Sequence, residues 1–276
     1  MLRIFLAERN TVELPAAIDH IRPAIVQIRV DPARPSPGTR GVVVGTGFWA
    51  HTDGLVLTAR HVTRDAQKAI AASPGARLRL GLAIPNLTGP PVTIRSSFEI
   101  MDVELVEEDP RHDVALLRAP NNPFTSGRTS GVHQAGNGWA VNALWGLASL
   151  SDSPVRDGEG IAVSGYPLAE PALVTTSGGI ASAFGSDIQE IQAPGGPAGF
   201  MVPDSADSYL ADVAVNPGNS GGPVYRIADG SVIGVCVAFR VATGQLENQT
   251  SPFFYNSGLS VVVPINYGQE LIARHA

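Results

Sequence analysis

The chain has 276 residues, 44% of them hydrophobic, with a formal net charge of −6, so it can bury a sizeable core and is globular in composition. Lys and Arg nowhere cluster with interleaved aromatics, which excludes an electrostatic footprint for nucleic acid, and the single cysteine, Cys236, excludes an intrachain disulfide. The 30 Gly and 22 Pro are scattered as turn punctuation rather than gathered into one tract, the habit of a chain with many short strands.

In chain order, the first ten residues, "MLRIFLAERN", hold too short an apolar run before Glu8 and Arg9 for a signal-peptide core. No window reaches the length of a membrane span. The expectation is a cytoplasmic protein with no membrane partner, and residues 1–20 form an amino-terminal segment. Six runs rich in Val, Ile and Leu follow, over 25–30, 41–50, 54–61, 76–84, 98–107 and 113–119, separated by turn residues such as Thr52, Asp53 and Gly54. They predict a first β-barrel over 21–120. A short helix over 63–72, capped by Thr63, interrupts them.

Residues 121–160, rich in Asn, Gly and Ser, read as the connection between lobes and carry Trp139 and Trp145. A second set of strands is expected over 160–167, 172–184, 199–203, 209–215, 222–227, 231–239 and 258–265, giving a second barrel over 161–276 closed by a carboxy-terminal helix led by Asn266. The predicted fold is therefore all-β, two antiparallel six-stranded barrels.

One stretch breaks the alternation. "NPGNSGGPVY", 216–225, surrounds Ser220 with Gly218, Gly221, Gly222 and two prolines. A nucleophilic serine needs a base, a group that orients the base, and donors for an oxyanion. His61, directly after a strand in "LTARHV", is the candidate base. Asp113, leading the apolar run of "RHDVALLR", is the candidate orienting carboxylate, preferred to Asp109 for that position, while His112 competes for the same carboxylate. The turn through Gly218, Asn219 and Ser220 can present the Gly218 and Ser220 amides together as an oxyanion hole. Gly45-Thr46-Gly47 lacks the pattern of a phosphate loop and reads as a bend in a barrel strand. His20, His51, His133 and His275 have no metal-ligand spacing, so neither a metal nor a cofactor is expected.

In "GTGFWAHTDGLVLTARHV", "HDVALLR", "YLADVAVNPGNSGGPVY", "GSVIGVCVAF" and "SGLSVVVPIN", the chain resembles the trypsin-like serine proteases, and among them the disulfide-free bacterial HtrA/Deg proteins. The resemblance implies His61 as general base, Asp113 as its partner, Ser220 as nucleophile, and a protein or peptide substrate. It also implies Val215, Ala238 and Phe239 as walls of the primary specificity pocket; none is acidic, so a small or medium apolar residue is expected before the scissile bond. Asn219 stands where the zymogen switch of the chymotrypsin type uses a carboxylate, so activation by amino-terminal cleavage is not implied. Only ten residues follow Asn266, so peptide sensing by a PDZ domain is not implied either.

Two other functions stay open in the sequence. A latent protease, or a protease-fold binding protein, would wait for an activating protein partner. An esterase would use "GNSGG" as a nucleophile elbow, but that chemistry places Asp or Glu and then His after the serine, and here only Asp229, Glu247, Glu270 and His275 follow.

Overall fold

A computed structural model of the chain describes residues 13–33, 41–86, 95–125, 133–134, 140–141, 145–170, 172–183, 207–244 and 253–276. The strand expected over 199–203 and the side chain of Trp139 lie outside the described residues. No helix among the described residues is long and apolar enough to cross a membrane.

The first unit begins with a helix absent from the sequence expectation, α1 (Leu14–Ile21), started by a proline in its first turn. There follow β1 (Ile25–Asp31), β2 (Val42–His51), β3 (Leu55–Ala59), α2 (Arg60–Ala72), β4 (Arg77–Asn86), β5 (Arg95–Asp102), β6 (Glu104–Asp109) and β7 (Val114–Arg118). All pair antiparallel in one seven-stranded sheet, ordered β5-β4-β1-β2-β3-β7-β6. The expected strand over 98–107 is two strands divided at Val103, which is why the sheet has seven members and not six. Val103 itself is buried, so the chain turns through the core at the break. In β2 the register with β1 slips between Ile28 and Arg29, opposite Gly45 and Val43, which is the strand irregularity expected around Gly45. β3, central between β2 and β7, is buried at every position, as its unbroken apolar run requires.

A short ladder, β8 (His133–Gln134) with β9 (Ala140–Val141), lies in the connection. Trp145, farther along it, is buried and meets Trp49 edge to face at 5.7 Å. The second unit is a closed barrel, ordered β10 (Gly160–Gly165), β11 (Val174–Ser182), β12 (Tyr209–Asp212), β15 (Phe253–Pro264), β14 (Val232–Gly244) and β13 (Pro223–Arg226). It ends in α3 (Ile265–His275), the expected carboxy-terminal helix.

Alternation along the strands divides the core in two. On β10, Ile161 and Val163 join Ile180, Val213, Val215, Val224, Ile233 and Val262 in one cluster confined to the second barrel. Ala162 faces the other cluster, in which Phe48, Trp49, Leu57 and Leu116 of the first sheet meet Tyr166, Tyr225, Val235 and Val263 of the second barrel and Leu271 of α3. Each fully buried Val, Ile or Leu contributes about 1.5–3 kcal/mol, so this shared cluster fixes the two units as one body.

Among the described residues both units are antiparallel sheets, without the alternating strands and helices that an α/β-hydrolase elbow needs. "GNSGG" is a turn leading into β13.

Candidate active site

His61 is the second residue of α2 and so lies in a first helical turn, not at the bare strand end that the sequence suggests. First-turn amides have no partners inside their own helix. Ala59, at the cap position, offers no side-chain acceptor, and Asp113 takes that role from across the fold. Its carbonyl accepts the Arg60 N–H at 2.9 Å and its Oδ1 accepts the His61 N–H at 2.9 Å. Its Oδ2 lies 2.6 Å from His61 Nδ1. Asp113 adopts φ 56°, a left-handed conformation that aspartate tolerates better than most residues. The carboxylate is nearly enclosed, at 13% side-chain exposure, while the imidazole keeps 40% and faces solvent.

His112 does not compete for Asp113. Its Nδ1 is 2.6 Å from Asp109 Oδ2, and its ring stacks on Tyr267 of α3 with centroids 3.5 Å apart. Two adjacent His and Asp residues are thus sorted into two separate pairs. Burial alone would push the Asp109 carboxyl up, but the hydrogen bonds from the His112 ring and amide outweigh it and hold the group below its ordinary 3.8.

A second ionic cluster braces α2. Glu108 accepts Thr63 Oγ1 at 2.6 Å, Arg60 Nε at 3.3 Å and Arg64 Nη2 at 2.8 Å, so Thr63 secures the helix within its first turn rather than capping it.

Ser220 is half-buried in the turn before β13, and nearly every backbone polar group of that turn is hydrogen-bonded. The carbonyl of Asn216 accepts the Asn219 N–H at 3.0 Å, that of Pro217 the Leu168 N–H at 2.7 Å, and that of Asn219 the Gly222 N–H at 2.9 Å. The Gly218 carbonyl accepts Thr46 Oγ1 at 2.6 Å, and the Ser220 carbonyl accepts the Thr46 N–H at 2.9 Å. Gly221 N–H donates to the Cys236 carbonyl at 2.7 Å. Among the described residues, the amides of Gly218 and Ser220 alone in 218–222 have no acceptor. The His61 Nε2 and the Ser220 hydroxyl likewise make no hydrogen bond to a described residue.

The turn holds its shape because two of its glycines adopt φ +103° at Gly218 and φ +82° at Gly221. A Cβ on Gly221 would strike the Thr46 carbonyl and Thr58 Oγ1 and lie 2.8 Å from Ala59 N, so the turn abuts the strand end that feeds His61. A Cβ on Gly45 would lie 3.0 Å from the Ser220 carbonyl and strike Val62, the residue after His61. Asn219 is buried at 2% exposure with its Oδ1 unpartnered among the described residues; a carboxylate there would be an uncompensated buried charge.

Of the pocket candidates, Val215 and Phe239 pack against the same second-barrel cluster, whereas Ala238 packs against the cluster shared with the first sheet. Asn256, not singled out in the sequence, reaches from β15 to the Val215 carbonyl at 2.6 Å. Thr46 was legible only as part of a strand bend, yet it touches the turn at two carbonyls. Cys236 lies beneath the turn, and burial pushes its thiol up to about 12. No group of three or more His, Cys, Asp and Glu among the described residues could hold a metal ion.

Curated relatives include a "Probable periplasmic serine endoprotease DegP-like" of Chlamydia muridarum, 30% identical over 213 residues, covering 76% of this chain and 31% of that protein. Another of the same name from Pseudomonas fulva is 28% identical over 232 residues, covering 83% and 34%. The chain therefore spans about a third of the length of these relatives. Solved structures with the same fold include HtrA-type protease AlgW with decapeptide, at TM-score 0.57 and 18% identity over 96% of this chain and 68% of that one. A second, AlgW with tripeptide, gives TM-score 0.55 at 20% identity over 93% and 61%. The family model described as "Trypsin-like peptidase domain" matches residues 45–235, a span that opens in β2, closes in β14 and includes His61, Asp113 and Ser220. On that match the chain belongs to the trypsin-like peptidase domain family, and its relatives place it with the HtrA/DegP type.

Proposed function

We propose that this protein is a serine endopeptidase in which Ser220 attacks a peptide carbonyl, His61 takes and returns the proton, and Asp113 holds the imidazole. The observation that carries the reading is the pair of unspent amides, Gly218 and Ser220, in a turn where every carbonyl from 216 to 220 is already bonded. Two backbone donors spared in one turn, flanking Asn219, suit the oxygen that becomes anionic when a serine adds to a carbonyl. Asp113 meeting Nδ1 leaves Nε2 as the nitrogen for the serine proton.

Addition of Ser220 Oγ to the carbonyl carbon gives a tetrahedral oxyanion. Its collapse expels the amine, which takes the proton from His61, and leaves an acyl-serine. Water, deprotonated by the same imidazole, then releases the acid and restores the hydroxyl. No cofactor enters these steps. The substrate is a protein or peptide, in keeping with the endoprotease names of the relatives. Val215, Ala238 and Phe239 favour a small or medium apolar residue before the scissile bond.

The test is labelling of the purified protein by a fluorescent fluorophosphonate, with peptide hydrolysis measured alongside. Both signals are expected in the wild type and lost in Ser220→Ala and His61→Ala. Peptide hydrolysis that survives Ser220→Ala means a different nucleophile. A folded wild type that takes no label favours the form that waits for a protein partner.

The cytoplasmic placement remains a sequence expectation, drawn from residues 1–10, and the relatives carry the word periplasmic in their names. Fractionation of cells expressing the natural protein decides between the two compartments.

A further inference from the structure

Thr46 is fully buried, so its hydroxyl cannot reach a substrate, yet it is the node at which three segments meet. Oγ1 accepts the Tyr166 N–H at 3.0 Å and donates to the Gly218 carbonyl at 2.6 Å. The residue's own N–H donates to the Ser220 carbonyl, and its own carbonyl accepts Thr58 Oγ1 at 2.7 Å. Both backbone bonds would survive replacement of the side chain. The two made by Oγ1 would not.

Those two bonds hold the spared Gly218 amide from both sides. Tyr166 begins the corner Tyr166-Pro167-Leu168, and Leu168, at φ 55°, donates its N–H to the Pro217 carbonyl at 2.7 Å. The 217–218 peptide is planar and trans, so holding its carbonyl on the Leu168 side aims the Gly218 N–H the opposite way. The Gly218 carbonyl belongs to the next peptide plane, shared with the Asn219 N–H, and Thr46 Oγ1 holds that plane directly on the other side of the Gly218 Cα. Gly218 has no Cβ to resist rotation, so without these ties its two flanking peptide planes can turn cheaply.

We propose that the Thr46 hydroxyl is a positioning group for catalysis, fixing the Gly218 amide in its oxyanion-binding orientation through the Tyr166–Leu168 corner and the Gly218 carbonyl. The proposal rests on Ser220 being the nucleophile. It predicts a defect in the transition state and not in substrate binding, because the group touches neither the substrate nor the reacting atoms.

The experiment compares Thr46→Val, which keeps the shape and removes the hydroxyl, with Thr46→Ser, which keeps the hydroxyl. Thr46→Val is expected to lower kcat on a peptide substrate by about 100-fold, the cost of losing one oxyanion donor, with KM changed by less than about twofold. Its affinity for a peptide boronic acid, whose adduct carries the oxyanion, falls by a similar factor, while affinity for the product peptide holds. Thr46→Ser restores kcat to within about threefold of wild type, and Thr46→Cys, a weaker donor of similar size, falls between Val and Ser. Folded Thr46→Val with wild-type kcat, or equal losses in the Val, Cys and Ser variants, overturns the proposal; if the Val variant does not fold, Cys and Ser alone decide it.

Crystal structures of Thr46→Val and Thr46→Ser give a readout independent of turnover. A Gly218 carbonyl displaced in the first and native in the second is expected, and an unmoved turn in Thr46→Val sinks the idea. Should Ser220→Ala hydrolyse peptides like wild type, the peptidase reading is what has failed, and the crystal structures still judge the role of Thr46 in the turn.

Discussion

Asp113 grips His61 twice, by side chain and by backbone: Oδ2 meets Nδ1 at 2.6 Å and Oδ1 accepts the amide at 2.9 Å. One carboxylate therefore serves as the cap of α2 and as the orienting partner of the imidazole. The two duties separate under mutation. Asp113→Asn keeps an oxygen acceptor for the amide but turns an N–H₂ toward Nδ1, favouring the wrong tautomer; kcat is expected to fall by roughly 10⁴ with the fold retained. Asp113→Ala also strips the cap and is expected to cost a further 1–2 kcal/mol or so of stability. Equal denaturation midpoints for the two variants would show that the cap contributes nothing.

Gly221 and Gly258 both adopt left-handed φ, +82° and +87°, but a Cβ on Gly258 meets nothing within 4 Å while one on Gly221 collides with Thr46 and Thr58. Gly258→Ala is expected to cost about 1–2 kcal/mol, the conformational penalty alone. Gly221→Ala adds overpacking and is expected to cost roughly 2–5 kcal/mol, read by urea denaturation. A smaller loss at Gly221 than at Gly258 contradicts the packing of the turn on β3.

Asp109 supplies a pH dependence. Its carboxyl is held below 3.8 in the folded chain, so it contributes stability that is fully present above that value and is lost as pH falls through the lower folded one. Wild type is expected to be more stable than Asp109→Asn at about pH 6, with the gap narrowing as pH falls below 3.8. A gap of constant size across that range means that the hydrogen bonds from His112 do not discriminate between the charged and neutral carboxyl.

Cys236, with its thiol pushed up to about 12 by burial, is expected to resist iodoacetamide in the native protein. At about pH 8 its thiolate fraction is on the order of 10⁻⁴. Mass spectrometry should find alkylation only after unfolding in denaturant; rapid native labelling would place the thiol in contact with solvent.

Much of this was legible in the sequence because the local signals were strong. Val- and Leu-rich runs bounded by Gly and Asp gave β2, β3 and β7 nearly to the residue, and the glycine-crowded serine turn announced itself. The start of α2 was missed by three residues, since Arg60 and His61 offer no capping signal and their acceptor, Asp113, comes 52 residues after His61. The strand over 98–107 read as one because Val103, between Asp102 and Glu104, continues the apolar–polar alternation from Met101 to Leu105, and only burial shows the chain turning there. The pairing of His112 with Asp109 was not legible, as adjacent residues in "HD" give no indication of which carboxylate each imidazole will meet. Thr46 was overlooked for a similar reason: its partners Gly218 and Tyr166 are more than a hundred positions distant.

The last helix leaves the second barrel and fastens to the first. The Arg118 guanidinium donates to the His275 carbonyl at 2.6 Å, and Glu107 binds both Arg274, at 2.8 Å, and His275, at 2.5 Å. In mechanical terms α3 is a strap looped back over β6 and β7. A pull on its end loads the strands beside Asp109 and Asp113 before it reaches the serine turn, so traction there would slacken the imidazole's seat while the nucleophile's own barrel stayed closed.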